Sequence, residues 1–337
     1  MSTPTAAIFG CAGLDLTADE RAFFRDADPW GFILFARNIE TPEQLRALCA
    51  DLRDGLGRDA PILIDQEGGR VARLRPPRWR GWLPAFEQVA ASRPGFAPRG
   101  MWIRSRLIAD ELRALGIDVN CAPIADVPAP GVHPIIRDRC YGTDAAQVAE
   151  IGRAVAEGLL AGGVLPVLKH IPGHGRPAGD SHAELPRTDA PLDALRAVDF
   201  APFRALSDLP LGMTAHVVYE AIDPSRPATL SPDVLALVRT EIGFDGLLMS
   251  DDLSMGALSG GLGARAGAAL AAGCDLALHC NGEMAEMIEV ATGAGVMDEA
   301  ARRRAERALS MRRAPGEIDR AALLAELDAG LMLARDE

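Results

Sequence analysis

No run of eighteen apolar residues occurs in the 337-residue chain, so no membrane span is expected. The opening Met1-Ser2-Thr3-Pro4-Thr5 lacks a basic stretch followed by an apolar one, and no signal peptide is expected there. Basic residues are the minority. Lys and Arg number 35 against 47 Asp and Glu, a formal charge of −12, which leaves no basic face to neutralise nucleic-acid phosphates. No Cys-x-x-Cys pair joins any of Cys11, Cys49, Cys121, Cys140, Cys274 and Cys280, and most lie in apolar stretches. They read as buried thiols of a reducing, cytoplasmic compartment rather than disulfides or zinc ligands. No Gly-x-Gly-x-x-Gly opens a helix, which argues against a dinucleotide or P-loop site. No His-x-x-x-His lies on a helix, and Lys169 beside two histidines would repel a cation. Neither a metal nor any other cofactor is expected. Repeats, linkers and low-complexity segments are also missing.

What the chain does have is alternation. Ala6-Ala7-Ile8-Phe9-Gly10, Gly31-Phe32-Ile33-Leu34-Phe35 and Pro61-Ile62-Leu63-Ile64 read as buried strands, followed by others at 117–123, 164–170, 211–216, 246–250 and 274–281. Helices fall between them. One starts at Thr41-Pro42-Glu43-Gln44, where Thr41 caps, Pro42 suits the first turn and Gln44 completes a capping box. Leu45, Leu48, Cys49 and Leu52 form its apolar stripe. Others are expected over 99–115, 144–162, 192–206, from the cap Ser231 to Ile242, and in two closing segments at 300–311 and 320–333. The segment 71–82 reads as an irregular surface excursion, whose basic charge could meet a ligand group but which is expected to be a solvated loop. Strand and helix alternating seven or eight times imply a parallel sheet with helices outside. An open doubly wound sheet would gather its ligand groups at one switch point. Here polar residues follow nearly every strand, which suits an α/β fold of the TIM type, a single-domain (β/α)8 barrel over residues 1–337 with C-terminal helices from about 297.

The polar groups at strand ends are Arg37, Asp65, Asp126, Arg139, Lys169, His170, His182, His216, Asp251 and Asn281. The densest stretch is Leu168-Lys169-His170-Ile171-Pro172-Gly173-His174-Gly175, running on to Asp180-Ser181-His182. Glycine and proline put these residues on a loop after a strand. An aspartate two residues from a histidine can hold one ring nitrogen and leave the other to exchange protons near neutral pH; alternatively, Asp180 caps a turn. Ser250-Asp251-Asp252-Leu253-Ser254-Met255 presents carboxylates at a strand end, where either Asp251 or Asp252 could attack an electrophilic carbon, or both could cap the next helix. A carboxylate with a separate proton shuttle is the minimal apparatus for double-displacement glycoside hydrolysis.

With those residues set out, the chain resembles glycoside hydrolase family 3. The resemblance rests on Lys169 to Gly175, Asp180 to His182, Ser250 to Met255, Ile33-Leu34-Phe35-Ala36-Arg37-Asn38, Asp65-Gln66-Glu67-Gly68-Gly69-Arg70-Val71, Met213-Thr214-Ala215-His216 and Ala272-Gly273-Cys274-Asp275. It covers about residues 6–285. It departs at Ile171, where phenylalanine is common, at Cys140, where serine is usual, and in the residues of the 176–179 loop; the single-domain form is expected, without the α/β sandwich domain that follows the barrel in many members. The resemblance implies a cytoplasmic β-N-acetylglucosaminidase of peptidoglycan recycling. Asp251 would be the nucleophile and His182 the general acid/base with Asp180 as its partner. Asp65, Arg139, Lys169 and His170 would bind N-acetylglucosamine. The substrate would be a muropeptide, with no nucleic-acid or membrane partner. A phosphorylase, a broader β-glycosidase and a non-catalytic amino-sugar binder are the rival readings.

Overall fold

In the computed structural model, which describes residues 3–177 and 185–332, the eight strands of a closed barrel alternate with helices. The strands are β1 (Thr5–Phe9), β2 (Pro29–Leu34), β3 (Ile62–Ile64), β4 (Val119–Asn120), β5 (Leu165–Ile171), β6 (Leu211–Thr214), β7 (Leu247–Asp252) and β8 (Leu276–His279). Each runs parallel to its neighbours in the order β1-β8-β7-β6-β5-β4-β3-β2, and Ala7 opposite Ala277 closes the sheet into a barrel. The expected (β/α)8 architecture is the observed one.

The barrel follows from alternation along each strand. Ile8, Leu63, Val119, Leu165, Val167, Leu211, Met213, Leu247, Met249, Leu276 and Leu278 fill its interior. Their neighbours Ala7, Phe9, Ile62, Ile64, Leu168, Leu248 and Ala277 face outward into the layer of helices. Inward positions recur every second residue, so the same register carried to the C-terminal ends brings Phe35, Asp65, Lys169, Asp251 and Cys280 to the mouth. Hydrophobic pattern and site placement are one fact.

Helix α1 (Ala18–Ala27) follows β1, and α2 (Pro42–Leu56) follows β2. Thr41 caps α2 as expected, accepting from the Gln44 N–H, and Leu45, Leu48, Cys49 and Leu52 are its buried face. The reciprocal half of the capping box is displaced by one residue. The Gln44 side chain takes the Glu40 N–H and donates to the carbonyls of Leu14 and Asn38. Helices α3 (Ala97–Ala114) and α4 (Ala145–Ala161) lie close to the expected bounds. The 192–206 helix does not form as one piece. It starts at Leu192–Ala194, widens into a π turn over Leu195–Asp199 and resumes at Ala201–Ala205, because Pro202 cannot continue the hydrogen-bond ladder. Ser231 caps α5 (Pro232–Leu237), which also ends in a π turn, Val238–Ile242.

Helices α6 (Leu262–Ala272) and α7 (Met284–Ala294) flank β8. Helix α8 (Glu299–Ser310) closes the bottom of the barrel, since Ala301, Ala305 and Ala308 join the interior core. Its arginines hold the N-terminal ends of the strands: Arg304 binds Asp245 and Asp275, which precede β7 and β8. The last helix, α9 (Arg320–Gly330), packs on α3 through Arg320 with Asp110 and Glu111. One mouth is thus plugged and the other carries the polar residues. All six cysteines are buried and free, as expected.

Candidate active site

A cavity of about 260 Å³ opens at the C-terminal mouth. Asp65, Arg139, Lys169, His170 and Asp251 all line it, brought together from β3, the loop after β4, β5 and β7. This is where a parallel barrel presents its ligand groups. Asp180 and His182 lie outside the described residues.

The polar floor is a single chain of alternating charge. Arg73 Nη2 lies 2.9 Å from Asp65 Oδ2, and Asp65 Oδ1 accepts from Lys169 Nζ at 2.8 Å. Lys169 Nζ reaches Glu67 Oε1 at 2.7 Å, and Arg139 grips the Glu67 carboxylate through two hydrogen bonds, at 2.8 and 2.9 Å. Arg139 Nη2 then faces His170 Nε2 at 3.3 Å, while His170 Nδ1 is 2.7 Å from Asp126 Oδ2. A guanidinium can only donate, so His170 Nε2 accepts and its proton sits on Nδ1, aimed at Asp126. Three carboxylates and three cations balance. Lys169, the only lysine in the chain, is buried with its charge fully matched.

Burial alone would push these carboxyls up. For Glu67, Arg139 and Lys169 outweigh burial and hold it down at about 2. For Asp126, His170 and the His174 backbone N–H do the same, also to about 2. Burial would lower Lys169, yet Asp65 and Glu67 raise it above the usual lysine range. Asp65, Glu67, Asp126, Lys169 and Arg139 therefore stay ionised at neutral pH.

The two adjacent aspartates differ in what they touch. Asp252 Oδ1 accepts from the N–H groups of Ser254 and Cys280, and Oδ2 from the Ser254 hydroxyl. Asp251 accepts only the N–H of Asp252, at 2.8 Å, among the described residues. One Asp251 oxygen is therefore uncommitted at the cavity wall. Burial raises its carboxyl, but His216, His170, the Asp252 N–H and Lys169 together bring it below the ordinary value. Such a group is an anion at neutral pH with a free lone pair.

His216 and Arg37 do not line the cavity. His216 is buried between the Thr229 hydroxyl and the Asp252 carbonyl, and Arg37 ties the carbonyls of Cys11 and Cys280. Both fix strand ends. Asn281 binds Glu286. The 71–82 segment is solvated only in part, with residues 75–78, 80 and 81 exposed as expected and its two ends held in. The Gln66 side chain clamps it, accepting from the N–H groups of Arg73 and Leu74 and donating to the Leu74 carbonyl. Leu74 and Trp82 are buried, and Arg70, Val71 and Arg73 line the cavity. Glu67, Arg70, Arg73 and His174 are among the residues of the site that sequence reasoning left without a role. Glu67 sat in a polar run already marked as site-like. Arg73 lies in the arginine-rich loop after Asp65, whose basic charge was the one signal that it could meet a ligand, and nothing in the sequence singled Arg73 out within it.

The family described as "Glycosyl hydrolase family 3 N terminal domain" matches residues 13–311. A protein described as "Beta-hexosaminidase" from Methylococcus capsulatus is 42% identical over 283 residues, 81% of this chain and 82% of that one. A glycoside hydrolase family 3 β-N-acetylglucosaminidase from Paenibacillus superposes with a TM-score of 0.84 at 31% identity, covering 97% of this chain and 67% of that one. NagZ from Neisseria gonorrhoeae, solved in complex with N-trifluoroacetyl-D-glucosamine, superposes with a TM-score of 0.82 at 32% identity, covering 97% and 96%.

Proposed function

The chain belongs to glycosyl hydrolase family 3, and from that premise we propose a retaining exo-β-N-acetylglucosaminidase that removes the terminal N-acetylglucosamine of peptidoglycan fragments. The broader class, a glycoside hydrolase of the β-N-acetylhexosaminidase kind, is that of its relatives. The observation that carries the finer reading is the uncommitted oxygen of Asp251 beside a polar floor whose charges are already matched. A balanced floor offers hydrogen-bond partners without demanding a charged ligand, which suits the hydroxyls and acetamide of a neutral sugar. Asp65, Arg139, Lys169 and His170 would hold that sugar. The NagZ complex with N-trifluoroacetyl-D-glucosamine supports an amino sugar as the ligand class.

In the proposed mechanism Asp251 attacks the anomeric carbon while His182 protonates the departing glycosidic oxygen. Water then attacks the same carbon, gives its proton to His182 and releases Asp251. Two inversions give net retention. Asp180 would orient His182 and favour its imidazolium. These two assignments rest on the Asp180-Ser181-His182 motif. The substrate we favour has β-linked N-acetylglucosamine ahead of 1,6-anhydro-N-acetylmuramic acid. Six buried free thiols support a cytoplasmic location, and no helix among the described residues is long and apolar enough to cross a membrane.

His182→Ala tests the proton-transfer role. The loss in kcat/KM is expected to be about 10²- to 10⁴-fold with a natural alkoxide leaving group and much smaller with a nitrophenolate. Equal losses on both substrates would remove His182 from that role.

A further inference from the structure

His174 is not used by the mechanism above, yet it lines the same cavity. It is only 4% exposed, and neither ring nitrogen has a hydrogen-bond partner among the described residues. Buried polar groups rarely stay unsatisfied without a reason. His279 is the other described histidine in this state, but it does not line the cavity and has the Glu286 carboxylate 3.5 Å from its Nε2.

The backbone on either side holds the His174 ring in place. Its own N–H donates to Asp126 Oδ1 at 2.6 Å. Gly173 before it sits at φ 143°, a conformation open to glycine, and its carbonyl accepts from the Tyr219 hydroxyl. Gly175 after it passes so near Val127 that a Cβ there would lie 1.9 Å from the Val127 carbonyl oxygen. The ring itself stands edge-on to His170, with centroids 5.8 Å apart.

We propose that His174 is a further substrate-binding residue of the sugar pocket, taking an uncharged group of the bound sugar that both donates and accepts, a hydroxyl or the acetamide. The ring is neutral across the working range. Burial and the neighbouring His170 and Arg139 push its pKa down to about 4, and the opposing Asp126 carboxylate is already occupied by His170 and by the His174 backbone. A neutral imidazole presents one N–H and one lone pair. An anion would satisfy only the first and a cation only the second. The two nitrogens point to opposite sides of the ring, so one group meets one of them, and a hydroxyl or an amide, able to donate or to accept, can meet whichever is presented.

This inference rests on the reading of the pocket as a sugar site. The test is His174→Phe, which keeps the ring and its contact with His170 but removes both polar atoms. Removing an unsatisfied pair should leave the denaturation midpoint at or above that of the unsubstituted protein. The kcat/KM for a chromogenic N-acetyl-β-glucosaminide should fall about 10- to 100-fold, and competitive inhibition by N-acetylglucosamine should weaken in parallel. His174→Gln, which retains a donor and an acceptor, should recover part of that loss. If the acetamide is the partner, the preference over the matching β-glucoside shrinks; if a hydroxyl is, both substrates lose equally.

Unchanged kcat/KM and unchanged inhibition in His174→Phe would overturn the proposal. A second readout needs no variant to fold. In the unsubstituted protein with ¹⁵N-labelled histidine, added N-acetylglucosamine should shift both ring nitrogens of His174, and unmoved signals would overturn the proposal as well. Failure of the unsubstituted protein to hydrolyse the N-acetylglucosaminide would instead count against the glycosidase reading, with the ¹⁵N titration still deciding whether His174 meets a sugar.

Discussion

Asp251→Ala is expected to lower kcat by at least about 10⁴-fold while leaving the denaturation midpoint where it was. The asymmetry between the two effects is the point. Among the described residues Asp251 accepts one hydrogen bond, from its own neighbour's N–H, so its removal strands no distant donor among them. Its uncommitted oxygen is what the proposed covalent step consumes. Asp252→Ala is expected to do the reverse. It would orphan the N–H groups of Ser254 and Cys280 together with the Ser254 hydroxyl, and so loosen the end of β7 before it touched any bond to substrate. Kinetics of both variants on a nitrophenyl N-acetyl-β-glucosaminide, beside their urea midpoints, check the assignment. A large kcat loss at unchanged stability in Asp252→Ala, with Asp251→Ala active, would move the nucleophile by one residue.

The second large effect is expected at Glu67, which contacts both Lys169 and Arg139 from a nearly buried position. Glu67→Ala leaves two cations in the barrel mouth with one carboxylate fewer, a change that costs about 3–5 kcal/mol when a buried pair loses one partner. Urea denaturation should show it, with the exposed Glu299→Ala as a control that leaves the midpoint in place, because Glu299 pairs with the exposed Arg303. The same network sets the response to acid. Glu67 and Asp126 are held at about 2, below their ordinary 4.5 and 3.8, so their contribution is complete above pH 4.5 and is lost as pH falls toward 2. His174 acts in the same direction over a higher window. Its pKa is about 4 in the fold against an ordinary 6.5, so only the unfolded chain gains its proton between those values. Stability should therefore fall steadily from pH 6.5 downward, and Glu67→Ala should flatten the portion below 4.5. A midpoint that is flat from pH 6.5 to 4, or unmoved by Glu67→Ala, would contradict this account of the network.

The barrel was legible because its signal is spread over the whole chain. Eight apolar runs with helices between them leave few topologies, and the inward register of β3, β5 and β7 carries directly to Asp65, Lys169 and Asp251. Caps were legible where one side chain decides them, as at Thr41 and Ser231. What could not be read depends on partners far apart in sequence. Strand β4 is only Val119–Asn120, not the seven residues its apolar pattern suggests, since Asp118 and Asn120 spend their side chains on the N–H groups of Ile62 and Gln66. Arg73 joins the site because Gln66 folds its loop back, a contact that no local periodicity announces. Glu67 takes its role from Arg139 and Lys169, 72 residues away and beyond. The distinction between Asp251 and Asp252 is of the same kind, since it appears only once Ser254 and Cys280 are seen around Asp252.

The central claim, a retaining β-N-acetylglucosaminidase, is tested most directly by following the first-formed sugar by ¹H NMR during hydrolysis of a nitrophenyl N-acetyl-β-glucosaminide, beside the matching β-glucoside and with and without inorganic phosphate. The account predicts turnover of the acetamido substrate in preference to the glucoside, with β-N-acetylglucosamine appearing first in either buffer. An α-anomer released first would contradict the covalent intermediate, a sugar 1-phosphate formed in phosphate would make the enzyme a phosphorylase, and a preference for the glucoside would contradict the assignment of the sugar.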